Sequence, residues 1–284
     1  MTERTGPGRL VLVATPIGNL GDLAPRAVEA LAGAMLVCCE DTRRTGRLLE
    51  HAGIARPSLI VVNDHTEVRA IAGVLQRLAR GERVAVVSDA GMPGISDPGE
   101  RLARAAIDAG HVVEVVPGPS AAISALVASG LPSGRFAFEG FLPRKGSGRS
   151  SRLTELATEP RTVVLYEAPH RLARTLADLA AALGDDRRVA IGRELTKLHE
   201  EHWRGRLVDA VTWATDTAPR GELVIVVDGA PPPAEVTATQ VEAALEDELR
   251  HGSSARDAAA AVAASLGVPK RRAYELAVQL RDRT

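Results

Sequence analysis

Three loop-like segments carry polar side chains among glycines and prolines, a composition suited to binding a small ligand. They are residues 14–22, 88–99 and 117–122. The second holds three glycines, two prolines and two aspartates in twelve residues, whereas a plain turn from strand to helix needs roughly two to six residues. Glycine permits unusual backbone angles and proline fixes φ, so such loops let the backbone approach a ligand closely. The sequence therefore predicts a ligand site built largely from backbone.

Individual side chains in these segments have both a binding and a structural interpretation. Asp89 directly follows a predicted strand, which favours a ligand contact, whereas Asp97 and Pro98 fit the cap and first residue of the next helix. Ser120 and the free N–H groups of a helix start could bind a carboxylate or a ribose hydroxyl, and a simple capping role is equally consistent. Neither a GxGxxG motif nor Walker A spacing occurs, so binding of a nucleotide phosphate is not predicted.

Hydrophobic patterning predicts the elements that position these loops. Short β-branched runs alternate with amphipathic stretches, which is typical of a parallel-rich sheet covered by helices. The three loops follow the first, fourth and fifth strands, and the carboxyl ends of parallel strands meet at one sheet edge, so we expect the loops to converge. The predicted strands are residues 10–13, 35–38, 59–62, 84–87 and 112–116, and the predicted helices are residues 24–31, 42–51, 68–80 and 97–109.

A second α/β pattern follows the turn at residues 117–120. A helical stretch ends at Ser129, and further strands are predicted near residues 135–138, 162–165, 189–193, 202–205 and 222–227. We therefore expect an N-terminal α/β domain of residues 1–118 and a C-terminal α/β domain of residues 119–230.

Residues 231–284 are predicted to form a separate helical unit. Three consecutive prolines at residues 231–233 end the sheet region, because proline fits neither a strand interior nor a helix interior. Helices are predicted at residues 237–250, 255–266 and 270–281, with Ser254 as an N-cap and Gly267 as a C-cap. The pattern fits a helix-turn-helix-like module that contacts RNA through its basic residues, and equally a small bundle that packs on the body or on a partner subunit.

Composition excludes several classes of protein. The chain has 284 residues, is 45% apolar and only 2% aromatic, so its core must consist of Ala, Val and Leu, and wide aromatic platforms for RNA are not expected. A net charge of −1 argues against coating nucleic acid by overall charge. Two adjacent cysteines make neither a disulfide framework nor a zinc motif. No secretory or membrane-spanning segment is apparent, so the protein is expected to be cytoplasmic. Because no Cys/His spacing suggests zinc, it is expected to bind no metal.

Seven segments, in their order along the chain, resemble the tetrapyrrole (precorrin-like) methylase superfamily over about residues 9–228. Within it, the chain is similar to the branch of bacterial enzymes that methylate the 2′-oxygen of a cytidine ribose in the decoding region of 16S ribosomal RNA. The helical tail also resembles the C-terminal extension of that branch. The segments are TPIGNLGDL, CEDTRRTGRLL, SDAGMPGISDPG, VVPGPSA, FEGFLPRK, YEAPHR and GRELTKLHEE.

The resemblance implies two α/β domains with S-adenosylmethionine between them, and a homodimer. The first loop departs from the family pattern: many tetrapyrrole-acting relatives have a GxGPGD-like sequence where this chain has Ala14, Thr15 and Pro16. This departure favours the RNA branch. Two alternatives remain, a corrin or porphyrin methylase of the same fold and a non-catalytic ribosome-binding module. The residues that would contact the cofactor are Ile17, Gly18, Asp89, Met92, Ser120, Ala121, Tyr166 and Arg193.

The reaction that the resemblance implies needs mainly alignment of the reacting atoms, and it profits from a nearby base because a ribose 2′-hydroxyl is a weak acid. Candidates are Glu167, His170 and Glu194. Each carboxylate also has a structural interpretation, since Glu167 could orient Arg171 and Glu194 could pair with Lys197.

Basic residues near the same loops are predicted to contact the phosphates of 16S rRNA or of the small ribosomal subunit. Residues 141–152 contain four cations and no acid, and the sequence Gly-Ser-Gly at residues 146–148 predicts a flexible loop that orders on RNA. A solvated surface loop is the alternative, and Arg171 could instead bind a buried carboxylate. The predicted RNA contacts are Arg43, Arg44, Arg144, Lys145, Arg171 and Lys197, with Arg149 and Arg152 in the same basic segment.

Overall fold

The computed structural model describes residues 7–55, 57–63, 65–232 and 236–281. The chain divides into two compact units, residues 1–230 and residues 231–284. In the described part of the chain, no helix combines the length and the apolar character needed to cross a membrane.

The first sheet contains five parallel strands in the order β3-β2-β4-β1-β5. Strand side chains alternate between its faces, so Val11 and Val13 pack beneath one pair of helices while Leu10 packs beneath the other. The strands are β1 (Arg9–Val13), β2 (Leu36–Cys39), β3 (Ser58–Val61), β4 (Arg83–Val86) and β5 (Val112–Val116). Helices α1 (Pro25–Ala32) and α2 (Thr42–His51) cover one face, and α3 (Glu67–Ala79) and α4 (Glu100–Asp108) cover the other.

The second sheet is mixed, with the order β6-β7-β10-β8-β9. Strands β6 and β7 are parallel, whereas β10 runs antiparallel to both of its neighbours and β9 antiparallel to β8. The strands are β6 (Phe136–Phe141), β7 (Thr162–Glu167), β8 (Arg188–Arg193), β9 (Glu201–Arg206) and β10 (Leu223–Val227). Helix α5 (Ala121–Ser129) packs on one face, and α6 (Ser147–Ala157), α7 (Leu172–Leu183) and α8 (Leu207–Thr217) pack on the other.

These elements confirm the α/β architecture and every predicted strand, with ends that differ by at most three residues. The predicted start of α4 at Asp97 was wrong, because the helix begins at Glu100. Its cap comes from a distant residue, because one oxygen of the buried Glu67 carboxylate accepts the N–H groups of Gly99, Arg101 and Leu102 at 3.0, 3.0 and 3.1 Å. The division at residues 118 and 119 stays a prediction.

The prediction of a flexible loop at residues 146–148 was also wrong, because helix α6 begins at Ser147. Arg149 on this helix is buried, and its guanidinium bonds to Asp178, to the Pro143 carbonyl and to the Thr175 hydroxyl at 2.8, 3.0 and 3.0 Å. These three contacts fix the helix start against α7, so the glycines introduce a helix here rather than a mobile segment.

The C-terminal unit consists of α9 (Ala238–Arg250), α10 (Ala255–Leu266) and α11 (Lys270–Arg281), as predicted. Thr237 and Gln240 form a capping box, and Ser254 caps α10. Gly267 ends α10 in the left-handed conformation with φ 64°. The unit's core is made largely of small side chains and has its own closed packing: Val241, Leu245, Ala258, Ala259, Val262, Ala273 and Ala277.

Candidate active site

A cavity of about 370 Å³ lies where the loops of the two sheets meet. In the second sheet, Leu223 at the start of β10 pairs with Glu167 and Arg193 at the ends of β7 and β8, so three strand ends lie at this edge. The predicted convergence of the loops after β1, β4 and β5 is confirmed. Lining residues used below are Ile17, Glu40, Arg44, Asp89, Met92, Asp97, Ser120, Ala121, Phe141, Tyr166, Glu167, Glu222, Leu223 and Val224.

Backbone bonds join the loops after β1 and β4. Thr15 and Gly91 exchange N–H···O bonds of 2.9 and 3.1 Å, and the hydroxyls of Thr15 and Ser88 each donate to a carbonyl of the β4 loop at 3.2 Å. Gly91 has φ 86°, and a Cβ there would lie 3.3 Å from the Ile17 side chain. The cavity wall is therefore a preformed backbone surface, and the positive φ at residue 91 disfavours a side chain there.

Asp89 presents a partly buried carboxylate to this cavity. It accepts the Asp41 N–H at 3.2 Å and lies 3.6 Å from the Arg44 guanidinium, while its own N–H donates to Glu40 at 2.9 Å. Burial raises the pKa of Asp89, and the charge of Arg44 opposes that rise. The group is thus a proton-sensitive polar contact in a largely apolar wall.

The predicted cofactor residues Ile17, Met92, Ser120, Ala121 and Tyr166 also line the cavity. Ser120 occupies the N-cap position of α5, but its side chain makes no capping hydrogen bond. The capping interpretation of Ser120 is therefore not supported.

Gly18 lies in an adjoining cavity of about 360 Å³, which shares Ile17, Arg44 and Asp89 with the first. A Cβ at Gly18 would lie 2.9 Å from the Thr196 hydroxyl, and the next residue, Asn19, donates its N–H to that hydroxyl at 3.1 Å. Gly18 thus permits a close approach between the β1 loop and the segment that joins β8 to β9.

Arg193 lines neither cavity. Its Nε donates to the Arg220 carbonyl at 2.7 Å, and its Nη1 pairs with Glu201 at 3.0 Å. Both bonds tie β8 to neighbouring chain segments, so the geometry gives Arg193 a structural role instead of a cofactor contact.

The two candidate carboxylate bases are occupied by other groups. Glu167 is 3% exposed; its Oε1 accepts the Ala168 N–H at 2.8 Å and lies 3.2 Å from Arg171, and its Oε2 accepts the Thr175 hydroxyl at 2.6 Å. Glu194 has φ 49° and accepts bonds of 2.8 Å from both Lys197 and the Glu222 N–H.

The hydrogen bond from Lys197 holds the pKa of Glu194 below its ordinary value, which makes it a poorer proton acceptor. His170 is exposed and lines neither cavity. For Glu167 and Glu194 the geometry favours the salt-bridge alternative.

The predicted RNA-binding cations fall into two groups. Arg171 donates to the Leu142 carbonyl at 2.8 Å as well as pairing with Glu167, and Lys197 lies between Glu194 and Glu222 at 2.8 and 3.1 Å. Arg152 is paired with Glu139 and Glu155, and Arg149 is buried. The remaining side chains are exposed, and within the described ranges only Arg44 among them forms an ion pair: Arg43, Arg44, Arg144 and Lys145.

Several cavity residues were missed by the sequence analysis. Asp97 was assigned to a helix start, Glu222 had no motif around it, and Phe141 lay unremarked inside the FEGFLPRK segment. An apolar aromatic three residues before two cations was the one signal that could have indicated Phe141.

No group of three potential ligands among the described His, Cys, Asp and Glu residues could hold a metal ion. Cys38 and Cys39 are both buried, and burial raises the pKa of Cys38 to about 12. Neither thiol is therefore a ready nucleophile at neutral pH.

The fold and the position of the cavity define a class of protein. Residues 9–211 match the model of the Tetrapyrrole (Corrin/Porphyrin) Methylases. The solved structure of the methyltransferase CobJ has a TM-score of 0.60 at 23% identity and covers 80% of this chain and 95% of its own. Uroporphyrin-III-C-methyltransferase from Thermus thermophilus has a TM-score of 0.52 at 26% identity, covering 77% and 94%. The chain therefore belongs to the tetrapyrrole methylase family.

Similarity to particular members extends along nearly the whole chain. Ribosomal RNA small subunit methyltransferase I of Synechocystis sp. is 46% identical, over 96% of this chain and 98% of its own. The proteins of that name from Mycobacterium tuberculosis and Escherichia coli O157:H7 are 46% and 42% identical, covering 98% and 96% of this chain and 97% and 95% of their own.

Proposed function

We propose that this protein transfers a methyl group from S-adenosylmethionine to the 2′-oxygen of a cytidine ribose in the decoding region of 16S ribosomal RNA. The observation that carries the proposal is identity of 42–46% to small subunit rRNA methyltransferases I over 96–98% of the chain. The tetrapyrrole-acting structures cover nearly all of their own length but only 77–80% of this chain. The RNA branch therefore accounts for more of this chain than the corrin branch does.

The cavity fits S-adenosylmethionine. Apolar groups from Ile17, Met92, Leu223 and Val224 suit an adenine ring, and Asp89 suits hydroxyl or ammonium donors. We assign the cofactor to Ile17, Asp89, Met92, Ser120, Ala121 and Tyr166, with Gly18 shaping the adjoining wall. When bound, this cofactor supplies an electrophilic methyl group.

The protein's own contribution is then mainly alignment of the ribose oxygen and exclusion of water. We assign Glu167 and Glu194 to positioning, because their carboxylates are held by Arg171, Thr175 and Lys197. His170 remains a candidate to accept the hydroxyl proton if the substrate brings the ribose to the cavity rim. We assign contacts with the RNA phosphates to four exposed, positively charged side chains: Arg43, Arg44, Arg144 and Lys145.

A methyl-transfer assay separates the three candidate functions. We expect labelled methyl groups from S-adenosylmethionine to appear in unmethylated small ribosomal subunits, at the 2′-oxygen of one cytidine. Transfer to a precorrin but not to RNA would instead identify a corrin methylase. Calorimetry with the cofactor tests the third function, since a ribosome-binding module without catalysis need not bind S-adenosylmethionine.

We further propose that the protein is a cytoplasmic homodimer. The edge strand β5 and helix α5 leave several large apolar side chains exposed, which in a monomer would face water: Val112, Val115, Ile123 and Val127, exposed by 41, 48, 46 and 72%. Cytoplasm is the compartment in which bacterial small subunits are available as substrate.

A further inference from the structure

A cluster of aromatic rings stands at the cavity wall of a protein that has few of them. The chain contains three phenylalanines, two tyrosines and two tryptophans. Phe138 and Phe141 both contact Tyr166, with ring centroids 5.1 and 5.7 Å apart. Tyr166 and Phe141 line the cavity, and Phe141 is 53% exposed. A half-exposed phenylalanine ring in a ligand cavity has an unused face.

A β-bulge directs Phe141 to this position. In a regular strand, residues three apart point to opposite faces. In β6, Phe138 pairs with Val164 but Gly140 pairs with Leu165, so the register shifts by one residue. Phe141 then pairs with Tyr166 and lies on the same face as Phe138. Bulges next to active sites commonly redirect a side chain in this way.

Glycine at residue 140 is needed for the bulge. Gly140 has φ 58°, which side-chain-bearing residues rarely adopt, and a Cβ there would lie 2.9 Å from the Ser96 hydroxyl of the β4 loop. Glycine at residue 140 therefore allows both the bulge in β6 and its close approach to the β4 loop.

The backbone that follows Phe141 is also fixed. Arg171 donates to the Leu142 carbonyl at 2.8 Å, and the buried Arg149 donates to the Pro143 carbonyl at 3.0 Å. The next two residues are the exposed cations Arg144 and Lys145. One rigid segment thus presents a flat apolar ring and, three residues later, two positive charges.

We infer that Phe141 stacks on a base of the RNA substrate at the reacting nucleotide, while Arg144 and Lys145 bind phosphates beside it. The inference rests on the proposed function and adds the residue that holds the base. A base has a π-face that stacks on an aromatic ring, and a single-stranded nucleotide that enters the cavity exposes that face to Phe141. The adjacent cations fit a nucleotide better than an uncharged aromatic ligand.

Substitution of Phe141 tests the inference by the quantity that changes. Phe141→Leu keeps apolar volume but removes the π-face, so we expect kcat/KM for small subunits to fall about five- to hundredfold, mainly through KM. The Kd for S-adenosylmethionine should stay within about twofold, and Phe141→Tyr should restore KM. Phe136→Leu, at a 37% exposed ring at the start of the same strand and outside the cavity, is the matched control.

A photochemical experiment identifies the stacking partner directly. Small subunits rebuilt with 16S RNA containing 5-iodocytidine would be irradiated with the full-length protein and S-adenosylhomocysteine, and the adduct mapped by mass spectrometry. We expect the adduct on Phe141. An adduct elsewhere, an unchanged KM in Phe141→Leu, or a matching loss of cofactor affinity would overturn the inference. Absence of methyl transfer by the unaltered protein would instead overturn the proposed function.

Discussion

At the residue scale, the carboxylates around the cavity differ in what surrounds them. Asp89 is partly buried, with Arg44 at 3.6 Å and a raised pKa. Glu194 is clamped by Lys197 and has a lowered pKa. Of these two carboxylates, only Asp89 lines the cavity and has a raised pKa. The pH dependence of cofactor affinity should therefore report on the protonation of Asp89.

Replacement of Asp89 by Asn should weaken S-adenosylmethionine binding at neutral pH about 10- to 100-fold, because a charged hydrogen-bond acceptor is lost. Burial raises the folded-state pKa of Asp89, so its charge is present above that pKa and disappears as the pH falls through it. Wild-type affinity should therefore fall at a higher pH than an ordinary aspartate, near 3.9, would give. Calorimetry between about pH 4 and about pH 8 measures this decline in cofactor affinity. The Asp89→Asn variant should lack the decline. An equal decline in the variant would exclude Asp89 as the titrating group.

The double substitution Arg144→Ala and Lys145→Ala should weaken RNA binding and leave cofactor affinity intact. Loss of two phosphate contacts should reduce the slope of log K against log salt by roughly 1.5. Binding of small subunits at several salt concentrations gives the slope. Arg206→Ala is the control, since Arg206 is exposed but already paired with Asp186 at 2.8 Å. Equal losses of RNA and cofactor binding would contradict the assigned division of the site.

At the element scale, the β4 loop depends on a helix start that is capped from elsewhere in the sequence. Three N–H groups at the beginning of α4 converge on one oxygen of Glu67, the first residue of α3. The helix dipole favours a negative charge there. This contact fixes the end of the loop whose other end carries Asp89.

Glu67→Ala should lower the free energy of unfolding by about 2–4 kcal/mol, because three backbone donors lose a charged, buried partner. Glu67→Gln keeps one acceptor oxygen and should lose less, about 1 kcal/mol. Urea denaturation of the whole chain measures both. Glu100→Gln, at an exposed residue of the same helix turn, is the control. Similar values for all three variants would show that the cap contributes little.

At the scale of the whole molecule, helix α5, which begins directly after Ser120, leaves the apolar side chains of Ile123 and Val127 exposed one helical turn apart. A second copy of the chain that covered them would lie close to the cofactor cavity. Oligomeric state and activity are then expected to change together.

Val127→Glu should convert a dimer into a monomer, because it places a charge on the most exposed of these apolar residues, 72% exposed. Folding should be unaffected, since Val127 is not in the core. Sedimentation velocity measures the change. Leu198→Glu, 92% exposed and outside β5 and α5, is the control. A monomeric wild type, or a Val127→Glu protein that stays dimeric, would contradict this surface.

Local sequence determined the order of the strands, the loops that line the cavity and most helix ends in residues 24–129 and 237–281, whereas α6, α7 and α8 were not predicted. Thr42–His51, Ala255–Leu266 and the capping residues Ser254 and Gly267 were predicted because caps and periodicity act within a few residues. The family resemblance in seven short segments likewise depends on residues that are neighbours in the chain.

Tertiary structure alone decided which polar groups face the cavity and which form hydrogen bonds or ion pairs with other groups of the protein. Glu67 caps a helix 32 residues away, Arg149 is buried between helices, and Glu167 is held by Arg171 and Thr175. A bulge at Gly140 turns Phe141 into the cavity. Each outcome depends on a partner distant in sequence, because a charged or polar side chain takes the partner that packing brings to it when its hydration is lost.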